Sequence, residues 1–386
     1  MIPRQIYHIS LLTAFAVVAL LLSACSTDDN SGLSNNPADD RQPVAFSAAM
    51  ADSQEAETRA APNVMDVTEL QSSGEGFGVF ACYTGLYKYG DVVVQPDFMY
   101  NQQVTWNSSE WTYSPLKYWP SGEGEVSGSM GTSPHYLSFM AYAPYSDMNT
   151  GDAGYCIPSM SLQREAGNPW ITYRLHTDPA KQVDLLFAKP LLNQTKEDAT
   201  LPFEFLHALA CAGSSVTVTA SDAMKTYLQG MREGDDPGQI SRVDLVLQDF
   251  SVTYTLTEKG RLVLWSNDGN PHWQTINSEN GLVTRTVSYT TDAHDYVLYS
   301  YNGGETVTDF TNDNHGIFYI PIHMGSNYQT AVATVSYAIR QYDNGDNLLN
   351  STSYPDKVSA PVVLSDYVDA YMPGKNLTLT FRVKNN

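Results

Sequence analysis

Positive charge is scarce in this chain. Its 386 residues carry 21 Lys and Arg against 42 Asp and Glu, a formal net charge of −21 at pH 7. That balance leaves no basic surface able to neutralise a run of phosphates, which excludes nucleic-acid binding. Cysteine is nearly absent too: Cys25, Cys82, Cys156 and Cys211 are too few and too scattered for a disulfide scaffold. No apolar run reaches the roughly 20 residues that a membrane-spanning helix needs. Catalytic signatures are missing as well: there is no GxSxG elbow, HExxH, Walker A loop or GxGxxG, and the eight His include no i, i+4 pair. Forty-two carboxylates permit a chance acid pair in space. With no motif to single one out, the chain reads as a non-enzyme that needs no metal or cofactor.

Charged residues make up only 16% of the chain, so the Glu, Lys, Leu and Ala repeats of long helices are lacking. In their place stand 25 Tyr, 26 Gly and 20 Pro. Aromatic and β-branched residues suit pleated surfaces, while Gly and Pro suit the turns between them.

The N-terminus has the layout of an export signal. Arg4 precedes an apolar stretch from Leu11 to Leu22, interrupted only by Thr13, and Leu22-Ser23-Ala24-Cys25 matches a lipobox. Residues 1–24 are therefore read as a lipoprotein signal peptide, with Cys25 as the lipidated mature N-terminus. An ordinary secretory signal shares the apolar run but has no need of Cys at that position. Ser26 stands where an inner-membrane retention signal has Asp, and Asp28 and Asp29 resemble an acidic surface-export signal. The expected address is the cell surface, anchored in the outer membrane through lipid. Residues 25–59 follow as a polar linker or propeptide with one apolar island, Val44-Ala45-Phe46.

From Gly74 onward, strands are expected in short runs. Phe77–Tyr83, Tyr136–Tyr142, Val243–Leu247, Ile317–Ile320 and Ala331–Ile339 are rich in β-formers, and Leu377–Val383 alternates without a fault. Asn302-Gly303 and Asn344-Gly345 carry hairpin chemistry. Helical periodicity is confined to Glu204–Ala212 and Ala223–Met231. The spacing predicts an all-β protein of two β-sandwich domains in series with few short helices. The polar stretch 195–202 sets the boundary, giving domains at 60–200 and 201–386.

Several aromatic and proline blocks occur in a specific order. Phe98–Thr105 is followed by Trp111-Thr112-Tyr113-Ser114-Pro115-Leu116-Lys117-Tyr118-Trp119-Pro120, then by Leu137–Tyr145, Val183–Ala188 and Phe203–Leu209. This series resembles the fimbrillin family, the lipoprotein pilin subunits of type V pili, over residues 40–386. The resemblance implies two transthyretin-like domains. It also implies cleavage after an arginine, loss of the first strand, and polymerisation as a neighbouring subunit's strand fills the groove. Partners would be other fimbrial subunits, and adhesion would add a host glycan or protein. Alternatives are an anchor or accessory subunit that keeps its lipid, or a lipid-anchored glycan-binding module.

Candidate residues follow from these readings. Glu57-Thr58-Arg59-Ala60-Ala61 is the best cut site, between Arg59 and Ala60, unless Arg59 is merely a linker cation. Val44–Phe46 is the strand expected to leave. Leu377, Leu379, Phe381 and Val383 share one strand face, and form either a donor strand or the chain's own terminal strand. Trp111 and Trp119 either fill a core or form an exposed aromatic surface for sugar rings. His207, in an apolar run, reads as a core histidine. Asp343–Asn347 superficially suggests a Ca²⁺ loop but lacks the regular spacing and terminal Glu of one, so it reads as a hairpin turn.

Overall fold

Strands dominate because few segments offer the 3.6-residue apolar period that a helix needs, while many alternate with period two. A computed structural model describes residues 42–51, 65–121, 123–125, 132–148, 156–176, 178, 181–234, 238–266, 269–276, 281–290, 294–307, 309–312, 316–322, 329–367, 374 and 376–385. Cys25, Arg59 and Ala60 lie outside these residues, as does the signal segment 1–24.

Along the chain, β1 (Ala45–Met50) and helix α1 (Val67–Ser73) precede β2 (Phe77–Gly85), β3 (Met99–Trp106) and β4 (Trp111–Thr112). Next come β5 (Glu123–Glu125), β6 (Thr132–Pro134), β7 (Tyr136–Ala143), β8 (Ser159–Met160) and β9 (Trp170–Arg174). The middle of the chain holds β10 (Leu186–Ala188), β11 (Leu191–Gln194), β12 (Thr200–His207), β13 (Ala210–Ala220), α2 (Asp222–Glu233) and β14 (Arg242–Thr257). Then follow β15 (Lys259–Val263), β16 (His272–Gln274), β17 (Leu282–Ser288), β18 (Tyr296–Tyr301), β19 (Glu305–Val307), β20 (Phe310–Asn312) and β21 (Ile317–Tyr319). The last are β22 (Thr330–Tyr342), β23 (Leu348–Val358), β24 (Val362–Val363) and β25 (Asn376–Val383).

The first half rolls into a barrel. Its strands run β10-β12-β1-β4-β3-β2-β7, and β7 pairs back to β10 at Ala143–Leu186 and Tyr142–Phe187, closing the sheet. Closure removes the open edges that a flat sheet would expose. Phe46, Phe77, Phe139, Phe203 and Phe205 fill the interior. The other face of β2 and β7 is buried as well: Phe80, Cys82, Met140 and Tyr142 belong to a second core. Both strands are thus covered on two sides, which is why they read as nearly continuous apolar runs rather than alternating ones.

That second core lies among three further sheets. One is built on β13, which pairs with β20, β21 and, in parallel, β25; another is β19-β18-β14-β22-β23. The third, β16-β15-β9-β8, joins strands from both halves of the chain. The expected boundary at 200/201 falls within β12, which is hydrogen-bonded into the barrel, and the chain leaves the barrel at Ala208 and Leu209. In β13, Gly213 adopts φ +72, and a Cβ there would run into the hydroxyls of Tyr254 and Tyr289. The bulge at this point needs glycine.

Two α-helices stand among the described residues. Helix α2 matches the apolar period at Ala223–Met231 and is capped by Ser221. Helix α1 was not expected. Its signal is a capping box, in which Asp66 and Glu69 satisfy each other's backbone N–H at 2.8 Å, ended by the left-handed Gly74. The other helical expectation, Glu204–Ala212, is corrected: β12 and β13 occupy it, because Leu201, Phe203, Phe205 and His207 alternate toward the core. Both expected hairpins form, β18–β19 around Gly303 and β22–β23 around Asn344-Gly345. In the second, the positive φ falls on Asp346 rather than on the glycine. Asp343 accepts from the backbone of Gly345 and Asn347, and Asp346 pairs with Arg242, so these carboxylates serve the turn.

Candidate functional site

The described part of the chain before α1 is a single strand, and it is built into the barrel wall. β1 runs parallel to β12 in register from Ala45–Thr200 to Met50–Phe205, and its other edge meets β4 at Phe46–Trp111. Backbone bonds extend the grip beyond the strand. Val44 N–H donates to Lys117 O (2.9 Å), Trp119 N–H to Gln42 O (3.0 Å) and Ala51 N–H to Phe205 O (2.9 Å). The Tyr113 hydroxyl donates to Val44 O at 2.9 Å. Burial pushes that phenol up to about 12, so it remains a neutral donor at physiological pH.

Period-two alternation decides what β1 buries. Val44, Phe46, Ala48 and Met50 all belong to or pack against the barrel core. Phe46, 5% exposed, stacks on Phe203 at 5.5 Å and meets Tyr113, Phe139 and Phe77 at 5.5–6.3 Å. Taking the strand away would leave two unpaired strand edges flanking a row of aromatic side chains. Such an arrangement does no covalent chemistry; it recognises an extended chain through main-chain bonds and alternate side-chain pockets.

Trp111 and Trp119 take the core alternative, and the surface alternative is corrected. They are 8% and 5% exposed, Trp111 against Phe77 (5.0 Å) and Trp106 (5.4 Å), and Trp119 against Phe139 (6.0 Å). They line the slot from within, so they form no exposed aromatic surface. Leu377, Leu379 and Val383 are buried in the second core, and Phe381 lies 5.7 Å from Phe250. Their strand, β25, pairs with β13 of the same chain from Asn376 to Val383. His207 is buried with its Nδ1 2.5 Å from Asp184, which also accepts from Met65 N–H at 3.4 Å. Cys82, Cys156 and Cys211 are buried, and burial raises the Cys82 thiol to about 12, which leaves it unreactive. Sequence reasoning missed β12 as the partner of β1. The signal was the alternation from Leu201 to His207, obscured by a competing helical pattern.

No family model matches the chain. Over 276 residues, 66% of its length, it is 24% identical to the fimbrium subunit Fim1C of Phocaeicola vulgatus. That match spans 64% of the relative, less than two thirds of it. The crystal structure of a fimbrial protein from Bacteroides vulgatus superposes with a TM-score of 0.58 at 18% identity, covering 89% of this chain and 95% of that one. By these comparisons the chain is similar to fimbrial proteins, and it shares its fold with the solved one. Both of these proteins are described as fimbrial, and the fold of the described residues is dominated by strands.

Proposed function

We propose that the chain is a structural subunit of a cell-surface fimbrium, assembled with other fimbrial subunits and serving adhesion. It is exported as a lipoprotein acylated on Cys25 and anchored in the outer membrane. Cleavage between Arg59 and Ala60 releases β1, and a strand from a neighbouring subunit takes its place. The barrel and the sheets around the second core stand for the two transthyretin-like domains that the family resemblance implies. One observation carries the reading. β1 is the described barrel strand that precedes Arg59, and it is held by hydrogen bonds along both edges with its alternate side chains in an aromatic core. Removing it would create an acceptor slot of matching length and chemistry.

A second observation bears on the place in the fibre. β25, the candidate donor, is engaged in this chain's own sheet. This favours a subunit that accepts a strand without donating this one, as a tip or accessory subunit does. The test is Arg59→Ala in the producing cell. It is expected to block conversion to the shorter form and to leave monomers, read as loss of the polymer ladder on gels. Unchanged ladders would refute processing at this site.

A further inference from the structure

Laid in register, the sheet β16-β15-β9-β8 carries unlike chemistry on its two faces. Ile171, Tyr173, Leu262 and Trp273 point inward and are buried in the second core. On the opposite face Lys259 lies across from Arg174, Arg261 across from Gln274, and Val263 across from both Trp170 and His272. Three of the chain's 21 basic residues therefore meet on one small sheet of a molecule with net charge −21. Glu258 answers Arg174 at 3.6 Å, in a pair whose side chains are 38% and 35% exposed. Arg261 has no such partner among the described residues. Its guanidinium lies 3.9 Å from the Trp170 ring centre, and its buried Nε meets no hydrogen-bond acceptor.

A guanidinium held against an indole keeps its donor fork in a fixed plane, the geometry that a carboxylate accepts in two parallel bonds. Beside it the exposed Gln274, held with its Nε2 2.8 Å from His272 Nε2, offers an amide of the kind that hydroxyls engage. We propose that this face binds a carboxylate-bearing sugar, with Arg261 taking the carboxylate and Lys259 and Arg174 supplying the local positive field. Two alternatives fit less well. A neutral sugar stacks on a bare aromatic face, whereas Arg261 already covers the Trp170 ring. A long polyanion would meet the repulsion of the whole acidic molecule. A single acidic residue, in contrast, senses only charges within a screening length of about 8 Å at physiological salt. The proposal goes beyond the fimbrial reading and does not require strand exchange.

The experiment titrates the purified mature protein with 3′-sialyllactose, with a glucuronate-terminated trisaccharide and with lactose, followed by calorimetry. At least one acidic sugar is expected to bind at least tenfold more tightly than lactose, and the two acidic arms tell sialic from uronic acid. Arg261→Ala should weaken that binding at least tenfold with an unchanged melting temperature, and Arg261→Lys should fall between. Equal affinity for lactose and both acidic sugars would overturn the proposal, as would unaltered binding by folded Arg261→Ala. Should that variant fail to fold, Lys259→Ala and Arg174→Ala replace it. Reduced affinity in either supports the site, and wild-type affinity in both refutes it.

Discussion

Protein beginning at Ala60, and so lacking β1, is expected to lose the cooperative melting transition of the mature chain. Adding a synthetic peptide of residues 42–51 should restore it. Three large side chains leave the barrel with the strand: Val44, Phe46 and Met50. At roughly 1.5–3 kcal/mol for each fully buried group, Val44 and Phe46 alone account for about 3–6 kcal/mol, and the partly buried Met50 adds a smaller share. Together they are comparable to the lower end of a typical domain's whole stability, about 5–15 kcal/mol. Two strand edges also lose their partners, at β12 and along residues 117–119. The same peptide carrying Phe46→Ala should bind far more weakly. Phe→Ala in a packed core costs about 3–5 kcal/mol, on the order of a hundredfold or more in affinity. A truncated protein that melts like the mature chain without peptide would show that β1 is dispensable to the barrel.

Truncation after Lys375 has the second large effect, and it tells donated from intrinsic strands. β25 buries Leu377, Leu379 and Val383 within this chain and pairs with β13 from Cys211 to Ala220. Its removal is expected to unfold the monomer or render it protease-sensitive, because several kcal/mol of burial are lost from the second core. Polymerisation fails in consequence. An unchanged melting midpoint with failed polymerisation would instead mark β25 as a strand that serves a neighbour.

How much of this was legible in the sequence depended on the length of each pattern. Leu377–Val383 alternates over seven residues and forms a strand, as expected. Phe203-Glu204-Phe205-Leu206-His207 carries both a helical and a strand period, and only pairing with β1 and β10 decides between them. Trp111 sits in a two-residue strand, too short for any period to say which way the ring points. The parallel pairing of β1 with β12 joins segments some 150 residues apart in sequence, so no local turn chemistry announces it. Barrel closure rests on two residue pairs between β7 and β10. The basic face is equally hidden: Arg174 and Arg261 become neighbours only once β9 and β15 are in register. Local patterns therefore revealed strands such as β2, β7, β14, β22 and β25, and the partners remained a property of the fold.

Release of β1 is the central claim, and the N-terminus of subunits in the assembled fibre tests it most directly. Surface-sheared fibres can be examined by N-terminal sequencing together with peptide mass mapping across residues 42–51. The account predicts subunits that begin at Ala60, with the β1 peptide missing from the fibre. Fibre subunits that begin at an acylated Cys25 and retain the β1 peptide in full amount would contradict it.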